Sequence, residues 1–96
     1  MLIDKGISAG SVVTLKLVSG EEIIAKYVEE SSDSIKISRP MSLSMSPKGL
    51  GMMPFAFTVG TDKQVSVFKT SVIMISDTDK QFADQFLQNT TGIALG

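Results

Sequence analysis

The chain has 96 residues, 43% hydrophobic and 20% charged, which suits one folded domain with one core and excludes a disordered segment. Cysteine and histidine are both absent. That excludes disulfides, thiol chemistry, Cys/His zinc sites and any Ser-His-Asp or Cys-His nucleophile. The formal net charge is −1, with 9 Lys plus Arg against 10 Asp plus Glu, so composition supplies no strongly basic surface for nucleic acid.

The N-terminal MLIDKGISAG has neither a basic region nor a long apolar run, and no signal peptide is expected. No window approaches the roughly 18 apolar residues of a membrane span. A single domain over 1–96 and a cytoplasmic location are the expectations.

The strongest signal lies in Ser11 to Val28. Val13, Leu15 and Leu17 alternate with Val12, Thr14 and Lys16, the period of a half-buried strand. Ser19-Gly20 breaks the run where a two-residue hairpin loop would sit. Ile23, Ala25 and Tyr27 then form one face of a second strand, with Ile24, Lys26 and Val28 on the other. From Asp33 to Ser46, Ile35, Ile37, Met41, Leu43 and Met45 share one parity, and serines and Lys36 hold the other. Arg39 interrupts the apolar face and Pro40 cannot donate to a ladder, so a bend, bulge or edge is expected there.

Pro47 to Gly51 reads as a loop. Phe55, Phe57 and Val59 resume the alternation as core residues, and Gly60 to Lys63 interrupts it as a turn or bulge. Val65 and Val67 lead to Phe68, which is off that parity and is expected at the surface or an interface. Lys69-Thr70-Ser71 makes a short turn. Val72 to Ser76 is apolar on both faces and is expected to be buried on both. Met41, Met45, Met52 and Met53 fit either a packed core with an untidy loop or an adaptable binding surface.

The period then changes. Thr78 and Gln81 have the spacing of a capping box, flanked by Asp77 and Asp79. Phe82, Ala83, Phe86 and Leu87 form one helical stripe, with Asn89 and Gly92 as stops. The expected division is an all-β barrel over 11–76, a helix over 78–89 and an apolar tail over 90–96 that includes Ile93-Ala94-Leu95.

The carboxylates are Asp4, Glu21, Glu22, Glu29, Glu30, Asp33, Asp62, Asp77, Asp79 and Asp84. Most sit beside turns or on polar strand faces, where a solvated surface explains them better than acid–base chemistry. No dinucleotide, P-loop or EF-hand spacing occurs, and Gly49-Leu50-Gly51 is too short for a phosphate loop. The expectation is a non-enzymatic protein with no metal and no cofactor.

Val13-Thr14-Leu15-Lys16-Leu17, Gly20, Ile23 to Val28 and the polar Glu30-Ser31-Ser32-Asp33 together resemble the first motif of the Sm and Sm-like family. Lys69-Thr70 before Ser71-Val72-Ile73-Met74-Ile75 resembles its second motif. The chain is most similar to the small Sm-like proteins of tailed phages, including marine cyanophages, through LVSGEEIIAK and QNTTGI. Two positions depart from the family. An Asn usual in the first motif is absent around Asp33-Ser34-Ile35-Lys36, and Lys69-Thr70 replaces the usual Arg-Gly. The good helix pattern also follows the barrel instead of preceding it.

The resemblance implies a strongly bent, five-stranded SH3-type barrel with a short C-terminal helix. It implies a homo-oligomeric ring of about five to seven subunits, joined through strands near Val65–Phe68 and Val72–Ser76. Such rings bind single-stranded RNA through pore loops. Lys36 and Lys69 would then be the phosphate contacts, with Ser32, Asp33, Thr70 and Ser71 as hydrogen-bonding neighbours. The alternative is a structural or adaptor ring of a phage with protein partners only, which the missing Asn and Arg-Gly favour. A phage origin would place either in the host cytoplasm.

Overall fold

The computed structural model describes residues 7–60 and 62–90. Among these residues the elements are β1 (Val12–Leu17), β2 (Glu22–Glu30), β3 (Ser34–Ser46), β4 (Gly49–Pro54), β5 (Gln64–Phe68), β6 (Val72–Asp77) and α1 (Lys80–Thr90). A 3₁₀ turn at Lys69–Ser71 links β5 to β6. Every pairing is antiparallel, in the order β4-β3-β2-β1-β6, with β5 also alongside β3. The fold is mostly β: one antiparallel sheet of six strands and one short C-terminal helix. No helix of the described residues is long and apolar enough to cross a membrane. The tail Ile93-Ala94-Leu95 and the stop at Gly92 lie outside the described residues.

The first hairpin forms where its alternation places it. Val13, Leu15, Ile23 and Ala25 are fully buried on one face. Its loop has three residues, Val18-Ser19-Gly20, not two. The Leu17 N–H donates to the Glu21 carbonyl at 2.9 Å, and the Gly20 N–H to the Leu17 carbonyl at 2.8 Å. The turn must end in a left-handed residue before the strands can pair, and Gly20, at φ 94°, supplies it.

β3 carries the bend expected at Arg39-Pro40. Arg39 has φ 54°, a left-handed conformation rare outside glycine. Lys26 pairs with Ser38, but Ile24 pairs with Met41, so β3 holds one extra residue there. That bulge reverses the face of everything after it. Ile35 and Ile37 point into the core beside Val13, Leu15 and Ile23. Met41 instead shares a face with its partner Ile24, and Leu43 lines a cleft with Ile24 and Phe82 of α1. The shared parity of Ile35, Ile37, Met41, Leu43 and Met45 therefore splits between two faces, and Met45 is 77% exposed.

The sixth strand, against the five expected, is β4. Gly49 to Pro54 pairs with Met41 to Ser46 around the two-residue turn Pro47-Lys48. Two glycines and a proline give this segment little strand propensity, and pairing with β3 overrides it. Phe55, Phe57 and Val59 form no strand. The Phe55 N–H donates to the Pro40 carbonyl at 3.0 Å, the last rung before the bend. β5 then takes the next part of the same β3 edge, Ser34 to Ser38, so residues 55–63 have to bridge two pairing segments. Phe55 packs against the core, whereas Phe57 is 76% exposed.

In a flat sheet β5 and β6 would lie four strand spacings, about 19 Å, apart. The 3₁₀ turn between them advances only about 6 Å. The sheet must therefore curl until its two ends approach, which encloses Val13, Leu15, Ile23, Ala25, Ile35, Ile37, Val72 and Ile75. β6 is not buried on both faces. Val72 and Ile75 face inward, but Ile73 is 57% and Met74 45% exposed, because β6 ends the strand order and α1 lies over β2.

α1 begins at Lys80, and Thr78 does not cap it. The Thr78 hydroxyl is instead hydrogen-bonded to that of Thr14 at 2.8 Å, and its N–H donates to the Val12 carbonyl at 3.1 Å. The first helical bonds come from the Phe82 and Ala83 N–H groups to the Asp79 carbonyl. Phe86 is fully buried. Phe86→Ala is expected to lower stability by about 3–5 kcal/mol in urea denaturation. A loss below about 1 kcal/mol would mean that the helix is only loosely docked.

Candidate functional site

Two loops far apart in sequence meet at one end of the curled sheet. Ser31 to Asp33 joins β2 to β3, and the Lys69–Ser71 turn joins β5 to β6. Phe68 pairs with Ser34, which delivers the turn to the loop. The Lys69 N–H then donates to the Asp33 carbonyl at 2.9 Å, while the Ser71 carbonyl accepts from the Val18 N–H at 2.9 Å. Within the first loop the Ser31 hydroxyl donates to Asp33 at 3.2 Å, and the Ser31 N–H donates to the Ser34 carbonyl at 2.9 Å. Ser32, Asp33 and Thr70 are exposed, and Ser71 is half-buried.

Lys69 is held in a small network. Its Nζ donates to Glu30 Oε2 at 2.9 Å, and the Tyr27 hydroxyl donates to Glu30 Oε1 at 2.8 Å. Both bonds favour the ionised carboxylate. The bond from Lys69, then that from Tyr27, holds the Glu30 carboxyl below its ordinary value. The phenol moves the other way. Burial first, then its bond to Glu30, pushes Tyr27 from 10.0 up to about 12. The stability linked to Glu30 is present above the ordinary carboxylate range and is lost as pH falls through its lowered pKa. That linked to Tyr27 is present below 10 and is lost as pH rises to about 12.

Lys36 lies apart from this network. It pairs across the ladder with Ser66 and Glu29, and its Nζ is 3.3 Å from Glu29. The structure thus brings together Ser32, Asp33, Lys69, Thr70 and Ser71, and leaves Lys36 on the outer face of the sheet. Each of the two candidate cations already faces a carboxylate. Tyr27 and Glu30 belong to the cluster, yet strict alternation puts them on opposite faces. A second bulge explains this. Tyr27 pairs with Ile37 and Glu29 with Lys36, so Val28 is an extra residue and Glu30 returns to the side of Tyr27.

No family model matches the chain, and no curated protein matches it. A fold match is found in a chain of the crystal structure of the NatC complex bound to CoA, with a TM-score of 0.52 and 16% sequence identity. The match covers 90% of this chain and 97% of that one. At this identity the likeness concerns the fold alone. It extends over nearly the whole of both chains.

Tyr27 is the sole tyrosine and there is no tryptophan, so phenolate absorbance reports on this cluster directly. Alkaline titration is expected to give a midpoint near 12. Glu30→Gln is expected to bring that midpoint partway back toward 10.0. An unchanged midpoint in Glu30→Gln would show that the charge of Glu30 contributes nothing.

Proposed function

We propose that this chain is an Sm-like, SH3-type barrel subunit that assembles with copies of itself into a ring and serves as a non-enzymatic adaptor for protein partners. The observation that carries this reading is the free edges of β5 and β6, the two ends that the curl brings together. Among the described residues β5 pairs only with β3, and β6 only with β1. Beside these edges stand Phe68, 65% exposed, together with Ile73 and Met74. Open edges rimmed with apolar side chains invite strand pairing, and a β5-to-β6 contact between copies repeats by rotation until it closes. The strand order and the 3₁₀ turn before β6 are compatible with the five-stranded Sm plan, β4 being an added ribbon on β3. The NatC likeness supports the subunit reading, since a chain of similar extent there belongs to a complex. The absence of His and Cys supports a non-enzymatic role, and a host-cytoplasmic phage protein remains the setting that the sequence resemblance suggests.

A second reading, single-stranded RNA binding, is favoured by one observation: the loops of both family-like motifs converge, placing Lys69, Thr70 and Ser71 beside Ser32 and Asp33. A ring would repeat that cluster around its axis. The ion pairs of Lys36 with Glu29 and Lys69 with Glu30 weigh against it, because phosphate would have to displace a carboxylate.

Light scattering at micromolar concentration is expected to show one oligomer of about five to seven copies, and Ile73→Glu with Met74→Glu to yield folded monomer. A monomeric parent protein would overturn the ring. Fluorescence anisotropy with oligouridine or oligoadenine across a salt series separates the two readings. The adaptor predicts weak binding that ignores Lys36→Ala and Lys69→Ala. Tight, salt-dependent binding weakened by either substitution would establish the RNA reading instead.

A further inference from the structure

At the bend of β3 a cleft of about 330 Å³ opens between Arg39–Met41, the β4–β5 connection and the C-terminal end of α1. Sites for small molecules fall in the range of roughly 300–1,000 Å³ and combine apolar walls with a few polar groups. Met41, Pro54, Val59 and Val65 form such walls here. Arg39 and Lys63 line the same cleft, and no carboxylate does. The ion pairs of the described residues use Lys16, Lys36, Lys69 and Lys80, so neither cleft cation is in one. Two cations thus line one apolar hollow, with the Asp62 carboxylate beside Gly60 at its edge.

Arg39 is fixed in place. Its Nη1 donates to the Thr90 carbonyl at the end of α1, which leaves the other N–H groups of the guanidinium for a ligand. Its backbone sits at φ 54°, and strain of this kind gathers at ligand sites. A planar guanidinium fork matches a carboxylate, and an ammonium beside it adds a point charge. A small polar anion such as phosphate would leave the apolar walls without a partner.

We propose that this cleft binds a small amphipathic carboxylate, its head between Arg39 and Lys63 and its alkyl chain against Met41, Val59 and Val65. The site is separate from the loop cluster, and it shares only Val65 with β5, the strand whose edge the ring would use. Isothermal titration of the full chain with octanoate and, separately, with 1-octanol tests it. Octanoate is expected to bind one per chain, at least about tenfold more tightly than octanol, because the neutral head forgoes both charge-assisted bonds. Lys63→Glu, in an exposed loop, is expected to weaken octanoate by at least about tenfold and to leave octanol and the melting temperature unchanged. Equal affinity for the two probes would overturn the proposal, as would octanoate binding that ignores Lys63→Glu or no binding at millimolar octanoate.

Discussion

Between Ser38 and Met41 the backbone of β3 advances three residues while β2 advances two, and the layering of the molecule depends on that mismatch. Before it, Ile35 and Ile37 complete the inner core. After it, Met41 and Leu43 turn outward beside Ile24, which gives α1 an apolar surface to cover. A regular β3 would have kept all its apolar residues on one side and put a serine in the place of Leu43 beside Phe82. The same bend divides the free edge of β3 into two lengths, one for β4 and one for β5. The helix, the extra ribbon and the cleft at Arg39 all follow from one inserted residue.

Curling is the second constraint. A three-residue connection between the two ends of the strand order forces those ends together, and the loops at that rim come together with them. This is how Asp33 and Lys69, 36 positions apart, come to share a backbone hydrogen bond. Glu30 then neutralises Lys69 and orders Tyr27 at the same rim. At the rim the lysine is held in an ion pair, unlike the cleft at the bend, where among the described residues neither Arg39 nor Lys63 forms one.

Strong local alternation was legible in the sequence. Val13 to Leu17, Ile23 to Ala25, and Val65 with Val67 lie on the expected faces, and the break at Arg39-Pro40 was visible as a charge and a proline inside an apolar stripe. Its effect on facing was not, because a bulge changes parity without changing composition. Met41 was misplaced for that reason, and the bulge at Val28 hid the approach of Glu30 to Tyr27 in the same way. β4 was illegible because its glycines and proline suppress every local strand signal, and its pairing is set by β3. Exposure of Ile73 and Met74 was hidden because an apolar edge strand and an apolar central strand read alike. Of the candidate site, the convergence of the two loops followed from the family-like motifs, while the carboxylates opposing the lysines depend on cross-strand register and could not be read from spacing.

The pairing of β1 with β6 also sets an order of events during synthesis. Leu15 pairs with Ile23 across a short turn but with Ile75 across 60 positions. The first hairpin can therefore form early on a local loop, while the outer edge of β1 stays open until nearly the whole chain has emerged. Contacts of such long sequence separation are slow to close. A nascent chain halted before Val72 would carry its most apolar hairpin with one edge unprotected, the condition under which strands capture one another and aggregate.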